Sequence, residues 1–117
     1  MKIFRKAGDV RNGLRGLRIV WREEWHFAYQ VGLAAAGILL AWILGAEPFF
    51  LVVLFSFGCL VLAAEVINTA VEDICNKIEP KFDQKIGDIK DMAQAFVILC
   101  SLPYVALFIW IVVERFV

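Results

Sequence analysis

The chain has 117 residues, 62% of them hydrophobic and 21% charged, with a formal net charge of zero. A soluble domain of this size sits nearer half apolar, so the composition points to a membrane protein with room for one domain and no second. A nucleic-acid-binding role fits poorly with so membranous a chain, and no nucleic-acid partner is expected.

The charges are unevenly spread. Lys2, Arg5, Lys6, Arg11, Arg15, Arg18 and Arg22 all precede His26, and Lys77, Lys81, Lys85 and Lys90 cluster between two later apolar runs. The cysteines Cys59, Cys75 and Cys100 form no CxxC pair and read as small hydrophobes without chemistry.

Residues 1–24 carry Ile3, Ala7, Val10, Leu14, Leu17 and Trp21 at helical spacing, with Arg11, Arg15, Arg18 and Arg22 one position later. Such an amphipathic helix lies in the membrane interface, its apolar face in lipid and its arginines among anionic headgroups. Its basic start has neither the early apolar core nor the cleavage site of a secretory signal. Residues 27–46 form a first spanning helix of about 20 residues, with Gln30 as its only strongly polar member and Trp25 and Trp42 near its ends. Gly45 to Pro48 makes a tight connection, with Pro48 suited to the first turn of the next helix.

The run from Pro48 to Ala64 is wholly apolar but for Ser56, and a little short by itself. It spans if the helix continues to about Asn76, giving a second element over 48–76. Lys77 to Asp88 reads as a loop broken by Pro80 and Gly87. Asp88 is placed as the N-cap of a third spanning helix over 89–115, and Pro103 should kink that helix or loosen one turn. The fold class is therefore all-α: one surface helix and three membrane spans. Basic residues concentrate in the N-terminal arm and the 77–91 loop, so both are expected in the cytoplasm.

The stretch from Glu65 to Glu72 organises the rest. On a helix Glu65, Asn68 and Glu72 share one face, with the two carboxylates about 10 Å apart at the end of an apolar run. Ionisable groups near lipid are expensive and face protein or water. With the topology above, Glu24, Glu65, Glu72, Lys90 and Asp91 fall at the cytoplasmic face. Glu24 and Glu72 are hard oxygen ligands suited to Mg²⁺ carried on nucleotide phosphates. Lys90 offers a point charge to a phosphate, with Asp91 beside it. Glu65, deeper and less hydrated, stands where a general base acting on an alcohol is wanted. No P-loop and no protein-kinase signature occurs.

The run Glu65-Val66-Ile67-Asn68-Thr69-Ala70-Val71-Glu72, followed by Lys90-Asp91, resembles the signature of the prokaryotic diacylglycerol kinase and undecaprenol kinase family. Gly16-Leu17-Arg18 and the Trp21, Glu24, Phe27 spacing are similar too, and the resemblance covers essentially the whole chain. It implies a homotrimer in the bacterial cytoplasmic membrane, with composite sites shared between subunits, an ATP co-substrate, Mg²⁺ and a lipid acceptor. Glu65 matches the catalytic base and Asn68 its supporting amide. Glu24 and Glu72 match the acidic residues that hold Mg²⁺-ATP. Lys90 and Asp91 match the pair at the phosphates, Arg5 and Asn12 fall where the surface helix approaches ATP, and Lys81, Phe82 and Asp83 fall where a loop closes over the nucleotide. Asn76 departs from the usual Asp, Asp83 from a common His, Gln30 from an acid or His, and Gln94 and Phe96 from small residues.

Trp21 and Trp25 alone would be membrane anchors, and His26 an interfacial residue without catalytic duty. Two other functions are compatible with the bare residues: a small oligomeric proton-coupled transporter using Glu65, and a non-enzymatic membrane scaffold.

Overall fold

The computed structural model describes residues 7–79, 81 and 83–117, and all of the elements they form are helices. Four follow in order: α1 Ala7–Glu23, α2 Trp25–Ile43, α3 Pro48–Ile78 and α4 Gln84–Phe116. The last three are long and apolar enough to cross a membrane. Val10, Leu14, Leu17 and Trp21 on α1 are exposed, which suits an interfacial helix whose apolar stripe belongs to lipid.

A single extended residue, Glu24, separates α1 from α2. Its backbone closes the first helix by donating to Val20 O at 2.9 Å and opens the second by accepting from Phe27 N at 3.1 Å. The second helix therefore starts at Trp25, two residues before the position expected from the apolar run. It ends at Ile43 for a local reason. Gly45 takes the left-handed conformation, φ 88°, which a residue without Cβ adopts freely. Gly45 N then donates to Trp42 O and Ala46 N to Ala41 O, each at 3.0 Å, so the last carbonyls are satisfied in a Schellman arrangement. Glu47 is extended and Pro48 opens α3, where its missing N–H costs nothing.

The start of α4 corrects the sequence expectation. Asp83, not Asp88, is the N-cap: its Oδ1 accepts from Lys85 N at 3.0 Å and Ile86 N at 3.1 Å. Two otherwise orphaned donors are satisfied there, and Gly87 follows inside the helix, its N–H on Asp83 O at 2.9 Å. A helical glycine costs only about 1 kcal/mol, too little to break a helix that is already capped. Asp88 lies on the first turns and accepts from Gln84 Nε2 at 2.9 Å. Pro80 lies outside the described residues. Past Pro103 the helix continues to Phe116 without interruption.

The packed core sits toward the end of the bundle away from the Glu65 face. Ala41, Leu54 and Ile111, one from each long helix, are buried together against Ile38, Phe50, Leu107 and Phe108. Tyr104 ties α4 to α2 by donating from its hydroxyl to Ala34 O at 2.6 Å. Its ring lies against Gly37 on one side and Gly58 on the other, so small residues let the three helices approach here. Most of the remaining apolar surface, including Trp42, Phe55, Leu99 and Trp110, faces outward.

Candidate active site

The polar end of the bundle is built on α3. Glu65, Asn68 and Thr69 are its buried polar residues, exposed by only 6–7%. Each has an evident local reason to be there. Thr69 Oγ1 donates back to Glu65 O at 2.9 Å, which satisfies the hydroxyl within the helix. Asn68 Nδ2 donates to Glu72 Oε1 at 3.3 Å, one turn on. Asn68 Oδ1, by contrast, is buried without a hydrogen-bond partner. A buried acceptor left open calls for a donor, and a hydroxyl group of a ligand is one.

These side chains line a polar cavity of about 250 Å³. Glu65, Asn68 and Glu72 form the α3 wall, Glu24, His26 and Gln30 the wall at the α1–α2 break and first turns of α2, and Gln94 the α4 wall. The single-residue break between α1 and α2 positions Glu24. Its carboxylate does not cap its own helix and instead meets His26 Nδ1 at 2.7 Å. His26 also stacks on Trp25, ring centroids 3.9 Å apart. A larger apolar cavity of about 510 Å³ lies between α2 and α3 near Trp42 and Phe55, with no carboxylate on its walls.

Of the residues singled out from the sequence, Glu24, Glu65, Asn68 and Glu72 meet at this one cavity. Asn12, Lys81, Asp83, Lys90 and Asp91 do not line it. Asn12 is exposed on α1. Lys90 is held by Asn76, its Nζ donating to Asn76 Oδ1 at 2.7 Å across the α3–α4 interface. Asp83 engages its carboxylate as a helix cap, and Lys81 N donates to Glu79 Oε1 at 3.3 Å. Arg5 and Phe82 lie outside the described residues. Three cavity residues were not among the candidate site residues: His26, and Gln30 and Gln94, which stood out only as departures from the family pattern at positions bearing on the lipid. His26 stands two residues after Glu24, and that spacing at a helix start was the only local sign of their contact.

A deep carboxylate, an open buried acceptor and two further carboxylates around one cavity can deprotonate a hydroxyl and hold a cation-bearing phosphate beside it. Comparison with known proteins decides the class. The family model described as prokaryotic diacylglycerol kinase matches residues 11–113. The chain belongs to the prokaryotic diacylglycerol kinase family. The diacylglycerol kinase of Haemophilus influenzae is 32% identical over 94 residues, covering 79% of this chain and 80% of that protein. That of Escherichia coli K12 is 30% identical over 97 residues, covering 82% of this chain and 77% of the relative, and that of Shigella flexneri matches to the same extent.

This prokaryotic diacylglycerol kinase family member is thus a lipid kinase, and the transporter and scaffold readings give way. Among its described residues no three His, Cys, Asp or Glu side chains gather as a self-sufficient metal centre. Mg²⁺ rarely asks for one. It keeps most of its shell as water and phosphate and takes one or two carboxylates from protein. Half-buried Glu24 and Glu72, on opposite walls of one cavity, fit an ion that arrives on nucleotide phosphates.

Proposed function

We propose that the protein transfers the γ-phosphoryl group of ATP, with Mg²⁺, to the hydroxyl of a membrane lipid, diacylglycerol or undecaprenol. The observation that carries this reading is the meeting of Glu65, Asn68, Glu72 and Glu24 at one polar cavity where a membrane span ends. Asn68, beside Glu65, helps position the lipid hydroxyl, whose single proton points to the Glu65 carboxylate. Glu65 takes that proton as the hydroxyl oxygen attacks the γ-phosphorus in line and the bond to the bridging oxygen breaks, releasing ADP. Glu72, steadied by the Asn68 amide, and Glu24, steadied by His26, present oxygens to the metal on the phosphates. Mg²⁺ supplies charge neutralisation across the phosphates while bound. Lys90 and Asp91 serve the phosphate end, and Asn12 on α1 the nucleotide, a role the sequence resemblance also gives to Arg5. The sequence resemblance gives Lys81, Phe82 and Asp83 a role at the nucleotide too.

The working form is a homotrimer with sites shared between subunits, in the bacterial cytoplasmic membrane with the N-terminus inside. Two features support this: the outward apolar faces of all three spans, and the concentration of Lys and Arg in the arm and the α3–α4 connection. The test is lipid phosphorylation in mixed micelles with labelled ATP across a Mg²⁺ titration. Glu24→Gln and Glu72→Gln should each shift the Mg²⁺ dependence to higher concentration. Wild-type behaviour in either variant removes that residue from the metal-holding role.

A further inference from the structure

At the end of the bundle away from Glu65, a cleft of about 210 Å³ opens where α2 turns into α3 and α4 ends. Gly45, in the left-handed conformation, reverses the chain there and brings Glu47 to the same cleft as the last turns of α4. Buried Ile111 and half-buried Phe50 supply apolar walls. Glu47, Glu114 and Arg115 supply the charge, and all three are exposed. Trp42, in the last turn of α2, and Trp110, one turn before Glu114, are exposed as well. Indole rings at the ends of membrane spans sit at headgroup level, which sets the depth of the cleft.

The three charges do not satisfy one another. Among the described residues the one ion pair is His26 with Glu24, so Arg115 pairs with neither Glu114 nor Glu47. Glu47 stands at the N-cap position of α3, yet its carboxylate bonds to no amide of that helix. The cleft therefore keeps two carboxylate acceptors and a guanidinium with five donors for a ligand. A ligand that matches them carries a phosphate and a primary ammonium a few bonds apart, with hydrocarbon attached. The head of an ethanolamine phospholipid has this composition. A guanidinium fork fits two phosphate oxygens, and an ammonium has three N–H groups to give to carboxylates. A phosphocholine head has the same two charges but no N–H to donate. A phosphoglycerol head is an anion alone and meets two carboxylates against one arginine.

We propose that this cleft binds the zwitterionic phosphoethanolamine headgroup of a membrane phospholipid, with Arg115 on the phosphate and Glu47 and Glu114 on the ammonium. The bound lipid ties the α2–α3 turn to the end of α4. The site is remote from the Glu65 cavity and does not depend on the reaction proposed there.

The experiment titrates delipidated full-length protein in detergent micelles with dioleoyl phosphatidylethanolamine, phosphatidylcholine or phosphatidylglycerol, and reads bound lipid by native mass spectrometry. The ethanolamine lipid should bind about three- to tenfold more tightly than either of the others, the worth of one or two exposed charge pairs. Glu47→Gln and Glu114→Gln together should bring it down to the choline lipid and should strengthen binding of the glycerol lipid, whose repulsion they remove. Arg115→Gln should weaken the ethanolamine and choline lipids alike. Equal binding of the three lipids by the wild type overturns the proposal, and so does an ethanolamine preference that survives the double substitution. Should a variant fail to assemble, the wild-type ranking of the three lipids decides alone.

Discussion

Lys90 and Asn76 join the two longest helices: Lys90 Nζ donates to Asn76 Oδ1 at 2.7 Å, one turn beyond Glu72 on α3 and near the start of α4. A flexible ammonium stem is thereby held in place at the cavity's outer side. Asn76 supplies an oxygen without adding a charge, which suits the phosphate role proposed above for Lys90.

The contact predicts a separation of kinetic effects. Asn76→Leu removes the acceptor and frees the Lys90 side chain, so KM for Mg-ATP should rise about two- to tenfold, the range of one hydrogen bond. KM for the lipid should stay within a factor of two. Steady-state kinetics with each substrate varied in turn checks this, and an effect confined to the lipid side would contradict it.

At the start of α4, Asp83→Ala should destabilise the helix terminus by about 1 kcal/mol, the usual worth of a side-chain cap. The Lys85 and Ile86 amides, which donate to Asp83 Oδ1, should exchange faster with solvent. Asp88→Ala should leave both protected, since Asp88 only accepts from Gln84. Hydrogen exchange resolved at these amides separates the two aspartates.

Tyr104 makes a third position sensitive. A Cβ at Gly37 would collide with the Tyr104 hydroxyl and come within 3.2 Å of ring atom Cζ. Gly37→Ala should therefore force the ring aside, break its bond to Ala34 O, and destabilise the bundle by about 1–3 kcal/mol. Gly58→Ala meets the same ring at ordinary contact distance, 3.5 Å, and should be milder. Thermal unfolding in detergent should rank the two in that order.

The sequence makes the spans and the α3 face legible because each depends on a local regularity. Apolar runs of membrane length need no partner to be recognised, and helical spacing alone puts Glu65, Asn68 and Glu72 on one face. The turn into α4 was harder, since Asp83 and Asp88 are both good caps and Gly87 looks like a breaker. Which aspartate finds two free N–H groups is settled by backbone geometry. The contacts of Gln30 and Gln94 were not legible in spacing at all, and that of His26 only through its place two residues after Glu24. They reach the cavity from helices other than α3, and their register against Glu65 follows from packing around Gly37, Gly58 and Tyr104, where the helices come close.

Glu65 bears the central claim, since it is the deepest carboxylate on the cavity and stands at the end of an apolar run. Gln is nearly isosteric and keeps a hydrogen-bonding oxygen, so Glu65→Gln should still fold and assemble. The deciding measurement is lipid phosphorylation in mixed micelles alongside nucleotide binding, for wild type and Glu65→Gln. Turnover should fall by about 10²–10⁴-fold, the usual contribution of a general base, while nucleotide affinity moves little. Near-normal phosphorylation by a properly assembled Glu65→Gln protein would contradict the assignment of Glu65 as the base.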